Sequence, residues 1–404
     1  MITTAQLTEQ IVEKANALEQ ETIERRGYLH ERPELSGEEV ETSKYLKNET
    51  AKLGLEIEEV PGSTGFTALL DTGKPGKTLG IRTDIDALPI EEQPRNLSKK
   101  RAYISQNPGV MHACGHDGHM SIVLTTIKIL SDLKDQLSGK IYFIFEEGEE
   151  INSGIDAMVD HLRDKGLDAV YGNHLASFME TGKICVDAGP RMAGSTRVDF
   201  SVHGKGGHGS RPDLSVNPIF AATQILNGLT NAWANQVDVT KTVTLGLTKF
   251  QAGSTWNVIP DKVDIEGSLR YFDVPEGEKS MEIVKSVAEH TAKAHGCTVT
   301  FGENFKPLAQ PVINDNRLAE IAQNSIQEAL PGSLVEGVQW FASESFSAYA
   351  KLAPICFSFV GVGNETYGSG AEHHNEYFDV DDAALIYGVI AAAKFAVDFL
   401  NETN

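Results

Sequence analysis

Gly109-Val110-Met111-His112-Ala113-Cys114-Gly115-His116-Asp117-Gly118-His119 gathers three histidines, a thiol and a carboxylate into its last eight residues. On an extended segment residues 112, 114 and 116 face one side, and soft and borderline donors on one side are how a transition metal is gripped. The plainer alternative is the start of a helix with Asp117 as its N-cap and incidental histidines. The next residues, Met120-Ser121-Ile122-Val123-Leu124-Thr125-Thr126-Ile127-Lys128-Ile129-Leu130, continue apolar at helical spacing toward Leu133 and Leu137, which predicts a crossover helix. Before this unit, Thr78-Leu79-Gly80-Ile81-Arg82 reads as a buried strand, with Asp84 and Asp86 just beyond it. After it, Lys140-Ile141-Tyr142-Phe143-Ile144-Phe145 opens into Glu146-Glu147-Gly148-Glu149-Glu150, an acidic cluster that a solvated loop would also explain. Ala169-Val170-Tyr171 leads to Asn173-His174, and Pro354-Ile355-Cys356-Phe357-Ser358-Phe359-Val360 leads to His373 and His374. Ligands of an open α/β sheet bind outside the carboxyl ends of its strands, where these acids and histidines recur. A lone histidine is more often structural than a ligand, but that explanation must hold separately for His116, His174 and His374.

Further out, residues 5–26 predict a first helix, ended by Pro33, and Ser36 is placed to cap a second over 37–53, with a strand following at Leu55-Glu56-Ile57-Glu58. From 189 to 304 the pattern alternates, as in Arg197-Val198-Asp199-Phe200-Ser201-Val202 and Val263-Asp264-Ile265-Glu266-Gly267-Ser268-Leu269-Arg270, with helical stretches near 216–230 and 276–294. One polar face and two helices predict an inserted α+β domain between two parts, 1–188 and 305–404, of an α/β domain with a central sheet. Within the insert, Gly204-Lys205-Gly206-Gly207-His208-Gly209 matches the spacing of a dinucleotide fingerprint. That fingerprint needs a helix to open at once and an acid roughly 20 residues on, and neither is present. The stretch reads instead as a glycine-rich turn presenting His208.

Composition excludes several classes. The chain has 404 residues, which at about 150 per domain suggests two or three domains. A net charge of -22 with no segregated basic run argues against a nucleic-acid partner. The amphipathic, charged N-terminal stretch lacks the apolar centre of a signal peptide, and no run approaches the ~20 apolar residues that span a bilayer, so a cytoplasmic protein without a membrane partner is expected. The four cysteines, Cys114, Cys185, Cys297 and Cys356, lie far apart, and free thiols are expected.

Taken together, LHERPELSGEE, IRTDIDALPI, GVMHACGHDGH, the acidic EEGEE, GNHL, GKGGHGSRPDLSVNPI, WNVIPD, SESF and HHNEYF resemble, in order and over nearly the whole chain, the peptidase M20 metallohydrolases. The likeness is to the amidohydrolase branch that contains N-acyl-amino-acid amidohydrolases, hippurate hydrolases and auxin-conjugate hydrolases. It implies a zinc-peptidase-like catalytic domain interrupted by a smaller lid through which relatives usually dimerise, so a homodimer or higher homo-oligomer is expected. It further implies a site for two divalent ions, zinc or manganese first and cobalt or nickel next, held by Cys114, His116, Glu150, His174 and His374. Glu149 would be the general base and Asp84 an orienting group. In the lid, His208 would steady the oxyanion while Asn257 and Arg270 grip the substrate carboxylate. The implied substrate is a small N-acyl amino acid; a dipeptide is the alternative, and a catalytically silent binder is a third reading that the presence of every implied ligand and of the base disfavours.

Three departures from the branch stand out. FEEGEE replaces FQPAEE, which brings added carboxylates that could alter metal preference or substrate charge, and Ser343-Glu344-Ser345-Phe346 replaces S-E-D-F. The final His-x-Pro-x-Phe appears as His374-Asn375-Glu376-Tyr377-Phe378, whose spacing selects His374 over His373.

Overall fold

The computed structural model describes residues 4–402, in two compact units. The larger comprises residues up to Gly189, Ile313–Val338 and Ser345 onward; the smaller comprises Pro190–Val312 and Gln339–Glu344. The chain leaves the smaller unit later than residue 304, because Pro307–Ala309 still pairs with its strand Gly194–His203.

The larger unit is built on a seven-stranded sheet in the order Glu56–Glu59, Phe66–Asp71, Lys140–Glu146, Thr78–Asp84, Ala169–Glu180, Ile355–Gly363, Ile184–Cys185. Its four inner strands, from Lys140–Glu146 to Ile355–Gly363, are mutually parallel, and the outer pairings are antiparallel. The inner strands are buried on both faces, which is why they read as continuous apolar runs rather than alternations. Register sets Asp84 directly opposite Glu146, so two acidic strand ends meet at the same edge. The strand at Ala169 does not end at His174; pairing with Ile355–Gly363 carries it on to Glu180.

The predicted first helix is two, Thr4–Ala17 and Glu19–His30, and the second starts at Val40 without a side-chain cap. Ser36 instead donates from Oγ to Asp86 Oδ2 at 2.7 Å. The crossover helix His116–Asp132 follows Gly115, and Leu385–Asn401 packs among the helices around the sheet. Among the described residues, Asp382–Asn401 is long and apolar enough to cross a membrane, but 83% of its apolar window is buried within the protein. Its Lys394 is fully buried against Glu328 and Asp398, as fits a core helix.

In the smaller unit an antiparallel sheet runs Val243–Ala252, Lys262–Tyr271, Gly194–His203, Thr298–Phe301, with Pro218–Gln236 and Val274–Ala294 on its apolar face. Both helices carry proline in the first turn behind a capping side chain: Asn217 accepts from Ile219 N and Asp273 from Glu276 N. No helix opens after Gly209; a 3₁₀ turn at Pro212–Leu214 intervenes.

A buried ion network ties the larger unit's helices together. Arg26 reaches Asp117 at 3.0 Å, Asp379 at 3.2 Å and Asp382 at 2.6 Å, and His30 bridges Asp117 and Glu92 at 2.8 Å each. Asp117 is therefore committed to this network rather than to an N-cap. Burial alone would lower the His30 pKa, but its bonds to Asp117 and Glu92 outweigh that and raise it from 6.5 to about 9. The protonated imidazole thus stabilises the fold fully below about pH 6.5, and that stabilisation is lost as pH rises through about 9. In thermal unfolding from pH 6 to 9.5, the gap between wild type and His30→Gln is expected to narrow as pH rises; a gap independent of pH would refute this.

Candidate metal centre

Gly115 makes the turn that creates the site. Its φ of 92° is left-handed, a conformation that costs a side chain but not glycine, and it lets His116 begin the helix immediately after Cys114. Residues 112–116 therefore do not present one extended face. His112 is buried apart from the converging donors, and burial lowers its pKa to about 4, which keeps it neutral.

Donor atoms of Cys114, His116 and His174 lie within 4.8 Å of one another, as do those of Cys114, Glu150 and His374, those of His116, Glu149 and Glu150, and those of Asp84, His116 and His119. Local hydrogen bonds decide which atoms face inward. His174 Nδ1 lies 2.7 Å from the Leu175 carbonyl, so it carries the proton and leaves Nε2 as a lone pair 3.5 Å from Cys114 Sγ. His116 Nδ1 lies 3.0 Å from both Asp86 O and Asp86 Oδ1, which turns Nε2 inward. Glu150 Oε1 is 3.8 Å from that nitrogen and 3.2 Å from His374 Nε2.

The electrostatics favour a cation. His116 Nε2 and Glu150 Oε1 are buried without a hydrogen-bond partner, an arrangement that costs free energy unless something positive joins them. Burial would lower the His116 pKa, yet Asp84, Asp86 and Glu150 raise it to about 10. Burial would raise that of Asp84, yet His116, His119 and Arg82 hold it well below the carboxylate range. His174 is driven the other way, by burial and then by His119 and His373, and stays neutral. A thiol, imidazoles and carboxylates so disposed suit a borderline divalent ion.

His373 and His374 face apart. His373 Nε2 bonds the Leu175 carbonyl at 2.8 Å, whereas His374 adopts a left-handed φ of 59°, donates from N to Ala113 O at 2.9 Å and turns its ring to Glu150. Such a conformation is costly for a non-glycine residue and persists only where surroundings impose it, often at functional sites.

Glu149 and Glu150 open a 3₁₀ turn at Glu149–Ile151 and are not neighbours on an extended strand, whose side chains would point to opposite faces. What separates them is bonding: Glu149 Oε1 accepts from Ser345 N at 3.1 Å, while Glu150 Oε1 is the unpartnered atom. Asp84 bonds His119 and Arg82, each at 2.8 Å, and it is Asp86 that orients His116. His208, Asn257 and Arg270 belong to the smaller unit. There His208 pairs with Val258, Asn257 O accepts from Gly209 N at 2.8 Å, and Arg270 has a buried Nη1 without a partner.

Sequence reasoning left two residues without roles. Asp86 follows Asp84 by two, and that same-face spacing at a strand end was the available signal. His119 follows His116 by three on the helix, donates from Nδ1 to Asp84 Oδ1 and accepts from Leu175 N at 2.9 Å, so both its nitrogens are engaged. The added carboxylates do not join the donor groups: Glu147 bonds Ser63 Oγ and Thr64 N at 2.6 Å, and Glu146 bonds Arg82 at 2.8 Å.

Residues 80–397 match the family described as Peptidase family M20/M25/M40. The chain is 33% identical over 403 residues to thermostable carboxypeptidase 2 of Saccharolobus solfataricus, covering 98% of this chain and 100% of the relative. It is 36% identical over 308 residues to an N-acyl-L-amino acid amidohydrolase of Geobacillus stearothermophilus, covering 76% of this chain and 81% of that protein. A solved dinuclear metal binding peptidase of the M20 family from Bacillus subtilis aligns with a TM-score of 0.82 at 32% identity, covering 95% of this chain and 99% of the other.

Proposed function

The chain belongs to the M20/M25/M40 peptidase family, and from that premise we propose that it is a metal-dependent amidohydrolase that cleaves the amide bond of N-acyl amino acids. The observation that carries this reading is the convergence of donor atoms of Cys114, His116, Glu150, His174 and His374, with His116 Nε2 and Glu150 Oε1 buried among them without a hydrogen-bond partner. These five hold two divalent ions of the zinc, manganese, cobalt or nickel type, which when bound supply Lewis acidity to a carbonyl and acidify water near neutral pH. Glu149, held by Ser345 N, takes a proton from the attacking water and delivers it to the leaving amine nitrogen. Asp86 fixes the ring of His116, and Asp84 with His119 braces the far side of the donor set.

The smaller unit acts as a lid and dimerisation domain. Arg270 grips the substrate carboxylate with Asn257, a role supported by its buried, unpartnered Nη1, and His208 steadies the oxyanion. An oligomer through this unit is supported by its edge strand Val243–Ala252 and by the exposed Phe250, Phe220 and Trp256. Four buried cysteines, none of them in a disulfide, fit a reducing, cytoplasmic setting.

A second reading, peptide hydrolysis, is favoured by the likeness to the thermostable carboxypeptidase. The deciding experiment measures amine release from N-acetyl and N-benzoyl amino acids beside dipeptides, using protein stripped by chelator and refilled with Mn²⁺, Zn²⁺, Co²⁺ or Ni²⁺. Turnover of the N-acyl substrates should vanish on stripping and return with metal. A preference for dipeptides selects the second reading, and full activity after verified metal removal refutes both.

A further inference from the structure

Two side chains of the stretch LHERPELSGEE reach the acidic loop and its neighbours. Ser36 donates from Oγ to Asp86 Oδ2 at 2.7 Å, and the same oxygen accepts from Glu150 N at 3.1 Å. Glu39, which is fully buried, accepts from Gly148 N at 2.9 Å on Oε1. Gly148 is the corner from which Glu149 and Glu150 leave: its φ of 59° is left-handed, and a Cβ there would collide with Ser153 Oγ.

The other oxygen of Glu39 poses a counting problem. Oε2 lies 2.8 Å from Thr64 Oγ1, which is also 3.3 Å from Glu147 Oε2. One hydroxyl therefore sits between two carboxyl groups, and it has a single proton to give. Glu147 is well supplied besides, with Ser63 Oγ and Thr64 N each donating to Oε2 at 2.6 Å and Ser153 Oγ to Oε1 at 3.2 Å. Glu39 has only Gly148 N beside the shared hydroxyl. Among the described residues neither carboxyl group pairs with a lysine or arginine. The charges that bear on Glu39 are the carboxylates of Glu147 and Asp86. Burial raises its pKa from 4.5 to about 7, outweighing its hydrogen bonds, and Asp86 adds to the rise.

Every bond is satisfied once Glu39 carries a proton: its Oε2 donates to Thr64 Oγ1, and the Thr64 proton goes on to Glu147 Oε2. We infer that Glu39 is the protonated end of a carboxyl–hydroxyl–carboxylate chain, running through Thr64 to Glu147, that positions the turn carrying Glu149 and Glu150. Its kinetic consequence rests on the proposed roles of that pair as base and ligand, so the test includes readouts that need no substrate.

Metal-loaded wild type, Glu39→Gln, Glu39→Ala and Thr64→Val are compared for kcat, KM and melting temperature. Glutamine reproduces the protonated carboxyl, since its oxygen can accept from Gly148 N and its nitrogen can donate to Thr64 Oγ1. Glu39→Gln should therefore keep kcat near the wild-type value, whereas Glu39→Ala should lower it by about 10–100-fold with KM little changed. A glutamine variant as slow as the alanine variant overturns the inference, because the negative charge would then be what matters.

Melting temperature between pH 5 and 8 tests the proton itself. In the fold Glu39 keeps its proton to about pH 7, while the unfolded chain releases it near 4.5, so wild-type stability falls as pH climbs through that interval. Glu39→Gln cannot ionise, and its melting temperature should rise relative to wild type over the same interval; a difference that does not change with pH overturns the protonated state. Should Glu39→Ala not fold, Thr64→Val takes its place: it keeps both carboxyl groups, cuts the chain and should melt below Glu39→Gln, and the reverse order overturns the inference. If wild type turns over no amide, the functional reading fails, while the melting temperatures still decide whether Glu39 holds the proton.

Discussion

Glu149→Gln will lower kcat by about 10²–10⁴-fold while bound metal stays at the wild-type level. The amide keeps the shape of the side chain and its acceptance from Ser345 N, and removes only the ability to take a proton. Glu149 lies with His116 and Glu150 among the converging donors, so it is close enough to the chemistry for its charge to matter. Its neighbour Glu150 has the unpartnered oxygen facing His116 and His374, which marks it as the ligand of the pair. The measurement is kcat beside metal per chain on the same dialysed sample. Loss of metal in Glu149→Gln equal to that in a Glu150 variant would contradict the division between base and ligand, and turnover near the wild-type rate would remove Glu149 from the reaction.

Cys114→Ala is the second large effect, and it acts through metal content first. Cys114 belongs both to the group with His116 and His174 and to the group with Glu150 and His374, so on the proposed reading both groups would depend on its thiolate. Removing it should weaken metal binding by at least the ~10–100-fold typical of disturbing a metal site's supporting shell, drop the bound metal below two ions per chain after dialysis, and abolish turnover at ordinary metal concentrations. Reactivity provides an independent check. In wild type the Cys114 thiol should be alkylated after chelator treatment and protected once metal is restored, since a coordinated thiolate is a poor nucleophile. Alkylation that is indifferent to metal, or a Cys114→Ala protein that retains two tightly bound ions, would exclude Cys114 as a ligand.

Much of this architecture was legible because its signals are local. Periodicity identified the inner strands at Thr78, Lys140 and Ile355 and the crossover helix, since burial on both faces writes apolar runs directly into the chain. Local signals failed where a choice depended on partners. The break at Leu18 between the first two helices carries no proline or glycine, and Ser36 looked like a cap because its long-range bond to Asp86 has no trace nearby in sequence. The continuation of the strand past His174 to Glu180 likewise reflects its pairing with Ile355–Gly363 rather than any property of residues 175–180.

The sequence alone determined which chemical groups are available and at which strand ends they lie: a thiol, imidazoles and carboxylates following apolar runs, in a recognisable order. Only the tertiary structure decided which atom of each group points inward. His116 is turned by Asp86, His174 by the Leu175 carbonyl, His373 is drawn away from its neighbour, and Glu146 finds Ser345 and Arg82 rather than the metal donors. The physical reason is that main-chain periodicity is set by neighbours a few residues apart, whereas the direction of a buried polar side chain is set by the partner that satisfies it. Here those partners are brought close by strand register and helix packing from as far as 199 residues away.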